Sequence, residues 1–239
     1  GAQGPQGAAP GAPASDPFGF GCSAGGGGGG GGANPGPYVL AGNYTVALVV
    51  DDKTVETKAV HVVTDPEVAL TEAQRKQLFD RAMEMHELQK RATEAAAGVA
   101  SLNRELNDLS QKVSDQANVP SDVKASFASL KTDAAALAPK FPLGGGGGLG
   151  GGGRGGADTS ITGRIAQAKN GMMGGMWPTS ITMKAYTDAK AETPKALSDA
   201  NALFAKAATV SASLAKFNLT LTVPKPVDAG PGKKKTNLP

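Results

Sequence analysis

Between Thr71 and about Gln116 the apolar positions return every seven residues, at Leu78, Met85, Ala92, Val99, Leu106 and Val113. A second row, offset by three, runs through Arg81, Leu88, Ala95, Leu102 and Leu109. No proline interrupts the stretch, so the pattern predicts one long helix with a coiled-coil-like seam. At a rise of 1.5 Å per residue it forms a rod of roughly 65 Å, too long for one short helix to cover. Thr71-Glu72-Ala73-Gln74 has the spacing of a capping box and sets the start. Asn118-Val119-Pro120 sets the end, because proline disfavours helix in the residue before it.

Three more helices are predicted downstream. Val123, Phe127, Leu130, Ala134 and Leu137 keep helical spacing from Ser121 or Asp122 until Pro139. Ile161, Ile165, Ala168 and Met172 mark a short helix from Thr159, broken by the Gly- and Met-rich run up to Pro178. A fourth, capped by Thr179 or Ser180 and reaching about Lys216, carries Met183, Tyr186, Ala189, Leu197, Ala200, Phe204, Ala207, Ser211 and Leu214 in one stripe. Pro194 lies inside it and predicts a kink or a split into two helices. Helices one and four match in length, and the other two are about half as long. The simplest covering is an elongated antiparallel bundle, in which the two short helices help close a groove along the two long ones and the fourth helix covers the seam of the first within one chain.

Upstream of the helices the period changes to two. Tyr44, Val46, Leu48 and Val50 share one face of a strand, and a second strand follows over 54–63 with Val60 and Val62 inward. Asp51-Asp52-Lys53 supplies the turn between them and Asp65-Pro66 ends the second. A lone hairpin has no second layer for its apolar face, so further strands are expected ahead of Gly1, or packing against the helices. After the last helix, Asn218 to Val223 alternates again and reads as a short strand or an extended arm. From Pro224 the composition becomes that of a disordered tail, with a Lys233-Lys234-Lys235 run.

Composition divides the chain further. Glycine, alanine and proline dominate 1–37, and the early glycine triplet phase fails at Pro10, so the segment reads as a loop or linker, not a triple helix. A second glycine tract, 144–156, reads as a connector between helices. The partition is therefore linker 1–37, hairpin 38–66, helical bundle 71–217, and arm and tail 218–239. Aromatics are only 5% of residues and alanine supplies much of the apolar count, which favours closely approaching helices over a thick sandwich. The net charge of +3 is spread among acids along the helices and leaves no nucleic-acid footprint. Cys22 is the single cysteine, so no disulfide can form within the chain. No apolar run is long enough to span a bilayer.

Candidate chemistry is sparse. His86-Glu87 resembles the start of a zinc-protease motif, but Lys90 stands where the second histidine is needed. His61 falls on a strand and reads as an exposed or edge residue. Glu84, Glu87, Glu94, Glu105 and Asp108 alternate with Arg81, Lys90, Arg91 and Arg104, the pattern of a solvated helix face with weak ion pairs. Gly230-Pro231-Gly232-Lys233 has Val227 where a phosphate loop needs its first glycine. Met172, Met173, Met176 and Trp177 could ligate Cu(I) or meet a partner, yet adaptable thioethers more often plug the end of a bundle, and that reading is preferred. No catalytic, cofactor-binding or metal-ligating residue is nominated.

Ala41-Gly42-Asn43-Tyr44-Thr45-Val46, the strand into Asp65-Pro66, the helix opening at Thr71-Glu72-Ala73-Gln74, and Lys169-Asn170-Gly171 through Trp177-Pro178-Thr179 occur in an order that resembles a known arrangement. It is similar to the C-terminal end of secreted bacterial proteins with sortilin-type, BNR-repeat β-propellers, often labelled glycosyl hydrolases. The resemblance spans about Tyr38 to Val223. It implies that the hairpin ends a truncated immunoglobulin-like β-sandwich, that the bundle is a non-catalytic appendage, and that the location is secreted or periplasmic. The partners it implies are the upstream propeller and sandwich of the same polypeptide. The family's Asp-box propeller repeats are absent here, so no activity transfers to any residue of this chain. Two other classes remain open: an independent helical protein-binding or oligomerisation module, and part of a carbohydrate-active hydrolase whose active site lies outside the chain.

Overall fold

The computed structural model describes residues 36–142 and 160–230. The expectations for 1–35, for the 144–156 connector and for the lysine run at 233–235 lie outside the described residues. Among the described residues the fold is mainly helical, four helices preceded by a two-stranded antiparallel hairpin. Strands β1 (Gly42–Val50) and β2 (Lys53–Val62) are joined by Asp51 and Asp52, both with positive φ (49° and 61°). That is the backbone of a two-residue primed turn, whose twist matches the strands it joins, and Asp tolerates it better than most residues. Pairing runs from Gly42 opposite Val62 to Val50 opposite Lys53. The register shifts after Leu48, so that Val55 on β2 has no partner on β1 and forms a bulge.

Helix α1 (Glu72–Asp115) begins with the reciprocal capping box read from the sequence. Gln74 N donates to Thr71 Oγ1 at 3.2 Å, and Thr71 N donates to Gln74 Oε1 at 2.9 Å. All six residues of the Leu78 to Val113 heptad row are buried, and Leu88, Ala95 and Leu102 of the second row are buried with them. Helix α2 (Ser121–Leu137) turns back through Phe127, Leu130, Ala134 and Leu137, and a short 3-10 turn after it seats Phe141 in the core. Helix α3 (Ile161–Met172) is capped by Ser160, and α4 (Ser180–Ala215) by Thr179.

The directions of the helices follow from their cross-contacts. Lys131 Nζ donates to Ser110 Oγ at 3.0 Å and Lys124 Nζ to the Ser114 carbonyl at 2.8 Å, so α2 runs antiparallel to α1. Along α4, Asp133 meets Lys206, Lys140 meets Asp199, and Arg164 meets Glu192. Both short helices therefore run antiparallel to α4, one after the other. The two long helices run parallel, since Glu84 pairs with Lys190 at 2.8 Å while Gly98 faces Phe204. The four helices thus form a three-rod bundle in which α2 and α3 together make the middle rod. The short helices close the long groove as expected, and the long ones are parallel to each other because a complete return helix lies between them in sequence.

Two further differences from the sequence reading concern α4 and its exit. Pro194 does not split the helix, which is continuous from Ser180 to Ala215. Pro194 and Lys190 both lie on the exposed face, so the carbonyl freed by the missing N–H opens toward water. Asn218 then adopts a left-handed φ of 59° and the chain leaves α4 as an extended arm without strand pairing. The disorder expected from Pro224 does not hold for 224–230. Leu219, Leu221 and Val227 are buried on the bundle. Ser211 Oγ donates to the Leu221 carbonyl at 2.7 Å, and Thr222 N donates to Glu105 Oε2 at 2.7 Å. Asn201 makes a two-way clasp with the Val227 backbone, donating at 2.7 Å and accepting at 2.8 Å. The Arg91 guanidinium donates to the carbonyls of Asp228 and Gly230.

The arm can approach α1 closely because position 98 is glycine. A Cβ there would stand 2.7 Å from Phe204 Cζ and 3.1 Å from Pro224 Cβ. Gly98→Val should therefore lower the unfolding free energy measured by urea denaturation by ~1–3 kcal/mol through overpacking, although valine is the better helix former. Val99→Asp should abolish the cooperative thermal transition followed by circular dichroism, since an unpaired carboxylate at that seam costs on the order of several kcal/mol.

Candidate functional site

The described surface is uneven. Every large apolar side chain that is strongly exposed among the described residues belongs to the hairpin and its flanks, such as Val46, Leu48, Val55 and Val63, or to the α3–α4 turn and the first turn of α4, such as Met176 and Ile181. The far half of the bundle has none. Tyr44, Val46 and Leu48 lie on one face of the hairpin with Val60, Lys58 and Glu56 opposite them, the last two ion-paired; no second layer covers this face among the described residues, and both strands are exposed almost throughout. The alternation read from the sequence as half-burial is present as a pattern, with its apolar face open in this chain.

The base of the hairpin is held firmly. The Arg75 guanidinium donates to the Val68 carbonyl at 2.7 Å and to the Leu70 carbonyl at 3.2 Å, tying the β2–α1 connection to the first turn of α1. Asp65 Oδ1 accepts from Glu67 N at 2.9 Å and closes the turn at the end of β2. At the other side of the base, the Tyr44 hydroxyl donates to the Leu40 carbonyl at 2.7 Å, latching the lead-in segment onto β1. Between these fixed points lies an open, mainly apolar cleft of about 270 Å³, lined by Tyr38, Leu40, Val62, Leu78, Phe79 and Met173 among others.

The α3–α4 turn completes this end. Met172 is buried against Leu78 and Ala82, and Met173 and Met183 pack around it. Met176 and Trp177 instead project, 75% and 43% exposed, so the run plugs the bundle with its first two methionines and presents the next two side chains to solvent. The glycines divide these roles: a Cβ on Gly171 would meet Thr182 Cγ2 at 2.5 Å, so α3 and α4 can converge there only without one. The Arg81 guanidinium lies 5.8 Å from the Trp177 ring and 6.0 Å from the Tyr186 ring. The Tyr186 hydroxyl donates to the Glu84 carboxylate, which also pairs with Lys190. Burial, and then the carboxylate that accepts its proton, raise the Tyr186 phenol above its ordinary range; the same carboxylate raises Lys190.

None of this gathers a reaction centre. His61 Nδ1 meets Asn43 Oδ1 at 2.7 Å on the outer surface of the hairpin, while His86 is on α1, half-buried, so the two histidines sit on different units. Among the described residues no three His, Cys, Asp or Glu side chains converge as a metal site would require, and no helix is long and apolar enough to cross a membrane. Two buried cations escaped the sequence reading: Arg91, assigned there to a solvated helix face, is buried beneath the arm whose carbonyls it holds, and the second is Lys169. Lys169 is 2% exposed in α3, and burial lowers its ammonium from 10.5 to about 8. Its signal was positional: it follows Ala168 and precedes Met172 by three, on the flank of the stripe that packs inward.

Comparison with protein-family models, curated proteins and solved structures gives no match for this chain.

The Lys169 shift fixes the sign of a pH effect. Between about pH 8 and 10.5 the unfolded chain holds a proton on this lysine that the folded chain has released, so stability rises with pH across that window. Urea denaturation at pH 8, 9 and 10 should show the rise in the wild type and a flatter profile in Lys169→Met.

Proposed function

We propose that this chain is a non-catalytic C-terminal structural and docking module of a larger secreted protein of the sortilin-type, BNR-repeat β-propeller kind, in which the hairpin is the end of an immunoglobulin-like sandwich. The observation that carries the reading is the confinement of strongly exposed large apolar side chains to the hairpin end of an otherwise self-covered bundle. Contiguous exposed apolar surface rimmed by polar groups marks an interaction site, and an uncovered two-stranded sheet is marginal without more strands. The Tyr44 hydroxyl bonded to the Leu40 carbonyl adds support, because a tyrosine near a strand start that bonds back to the preceding backbone is a hallmark of one strand of immunoglobulin-like sandwiches. On this reading the bundle is a spine that holds the hairpin at one end, with the clasped arm stiffening it along α1.

The parent polypeptide provides the test. The sequence preceding Gly1 is expected to encode the remaining sandwich strands and a propeller with Asp-box repeats; a parent without them overturns the family assignment. The purified chain alone should give no turnover of nitrophenyl glycosides above a no-protein blank, and measurable hydrolysis would move the chemistry into this fragment.

A further inference from the structure

The helices hold residues 221–230 of the arm by its main chain. Ser211 Oγ donates to the Leu221 carbonyl, Glu105 Oε2 accepts from Thr222 N, Asn201 takes both the N–H and the carbonyl of Val227, and the Arg91 guanidinium donates to the carbonyls of Asp228 and Gly230. Among the described residues no arm side chain joins these bonds, and Lys225 and Asp228 are exposed. The apolar anchors alternate. Leu219 and Leu221 are buried and Val223 is half-buried, with Thr220 and Thr222 outward, and Val227 is buried beyond Pro224-Lys225-Pro226. Main-chain bonds combined with pockets for alternate side chains are the way an extended peptide is recognised. The span agrees: Glu105 and Arg91 are about 21 Å apart by the rise of α1, and the stretch from Thr222 to Asp228 covers about 20 Å when extended.

We propose that the groove between α1 and α4 is a binding site for an extended peptide, occupied in cis by the chain's own arm, 219–230. Its ligand class is a segment with aliphatic side chains at alternate positions followed by proline, and the charges of the ligand play no part. Asn201 and Arg91 read the main chain at one end of the groove, Ser211 and Glu105 at the other. Gly98 admits the proline between them, since a Cβ there would stand 3.1 Å from Pro224 Cβ. The arm is separable from the bundle, because α4 and the two short helices cover the seam of α1 without it. Asn201, Ser211 and Glu105 are half-buried, so on release they return to water and none is left as an orphaned polar group. Tethering raises the local concentration of the arm, and a free peptide of the same sequence therefore meets a site that is already filled.

The test uses the full chain and a fluorescein-labelled peptide of sequence 217–230. The wild type should bind it weakly, and the double variant Leu221→Ser, Val227→Ser, which weakens the cis ligand alone, should bind it about tenfold or more tightly by fluorescence anisotropy. Asn201→Ala added to that pair should remove the gain. In the wild type the Thr222 and Val227 amides should exchange about tenfold or more faster than those of Val99 and Phe204, through a local opening that urea below the transition does not accelerate. Loss of the cooperative thermal transition in the double variant would make the arm part of the core and overturn the proposal. Arm amides that exchange at the core rate, an unchanged peptide affinity, or a gain that Asn201→Ala leaves intact would overturn it equally. Concentration-dependent dimerisation of the wild type, abolished by the double variant, would replace the cis ligand with the arm of a second copy. None of these outcomes depends on the parent sequence.

Discussion

The structure depends on burial of one heptad seam along α1. Leu78 through Val113 provide six buried positions spread over the full length of a rod, and no single short element can cover them. The cover comes from two directions, a parallel long helix and a return rod made of two short ones. Small side chains in the middle of the seam, Ala92, Ala95 and Ala96, let the rods come close, and the absence of a side chain at position 98 lets the terminal arm lie against the same helix. The hairpin takes no part in this burial. The connection that follows it is tied to α1 by polar groups, chiefly Arg75 holding the Val68 and Leu70 carbonyls.

Much of the helical part could be read from the residues because local signals agreed with tertiary packing there. The capping box at Thr71, the proline after Val119 and the threonine before α4 each mark a boundary by a backbone hydrogen bond or its loss, and each is where the structure puts it. Pro194 was the ambiguous signal. Its missing N–H costs most when the orphaned carbonyl is buried, and sequence spacing alone does not show that it falls on the wet face. The arm was misread beyond Pro224 because proline and glycine suggest disorder, while its order there comes from distant groups, Asn201 and Arg91, contributed by two different helices.

The surface at the hairpin end was legible only in outline. Period-two alternation announced an apolar face and could not say what would cover it. The methionine run shows the limit of composition as a guide: Met172 and Met173 pack inward, and Met176, only three residues on, is among the most exposed apolar residues described. What separates them is the sharp turn that Gly174 and Gly175 allow, with Gly175 at a φ of 75°. The resulting molecule has two ends of different character. One is sealed by its own side chains and its clasped arm, and the other combines an open sheet, an apolar cleft and an aromatic ring beneath a guanidinium.

The segmented middle rod has a consequence for where residues can be added. Because α2 and α3 follow one another along α4, with Lys140 against Asp199 and Arg164 against Glu192, the break between them falls where one rod is interrupted and not where the chain must cross from one rod to another. Helix packing on either side fixes both flanks of that break. Each half of the middle rod is seated by its own contacts with α4, so extra residues between Pro142 and Ser160 leave both halves in register. The same additions inside α1 or α4 would shift half the seam out of register. The glycine tract of the sequence falls between these two halves of one rod, and not within either long helix.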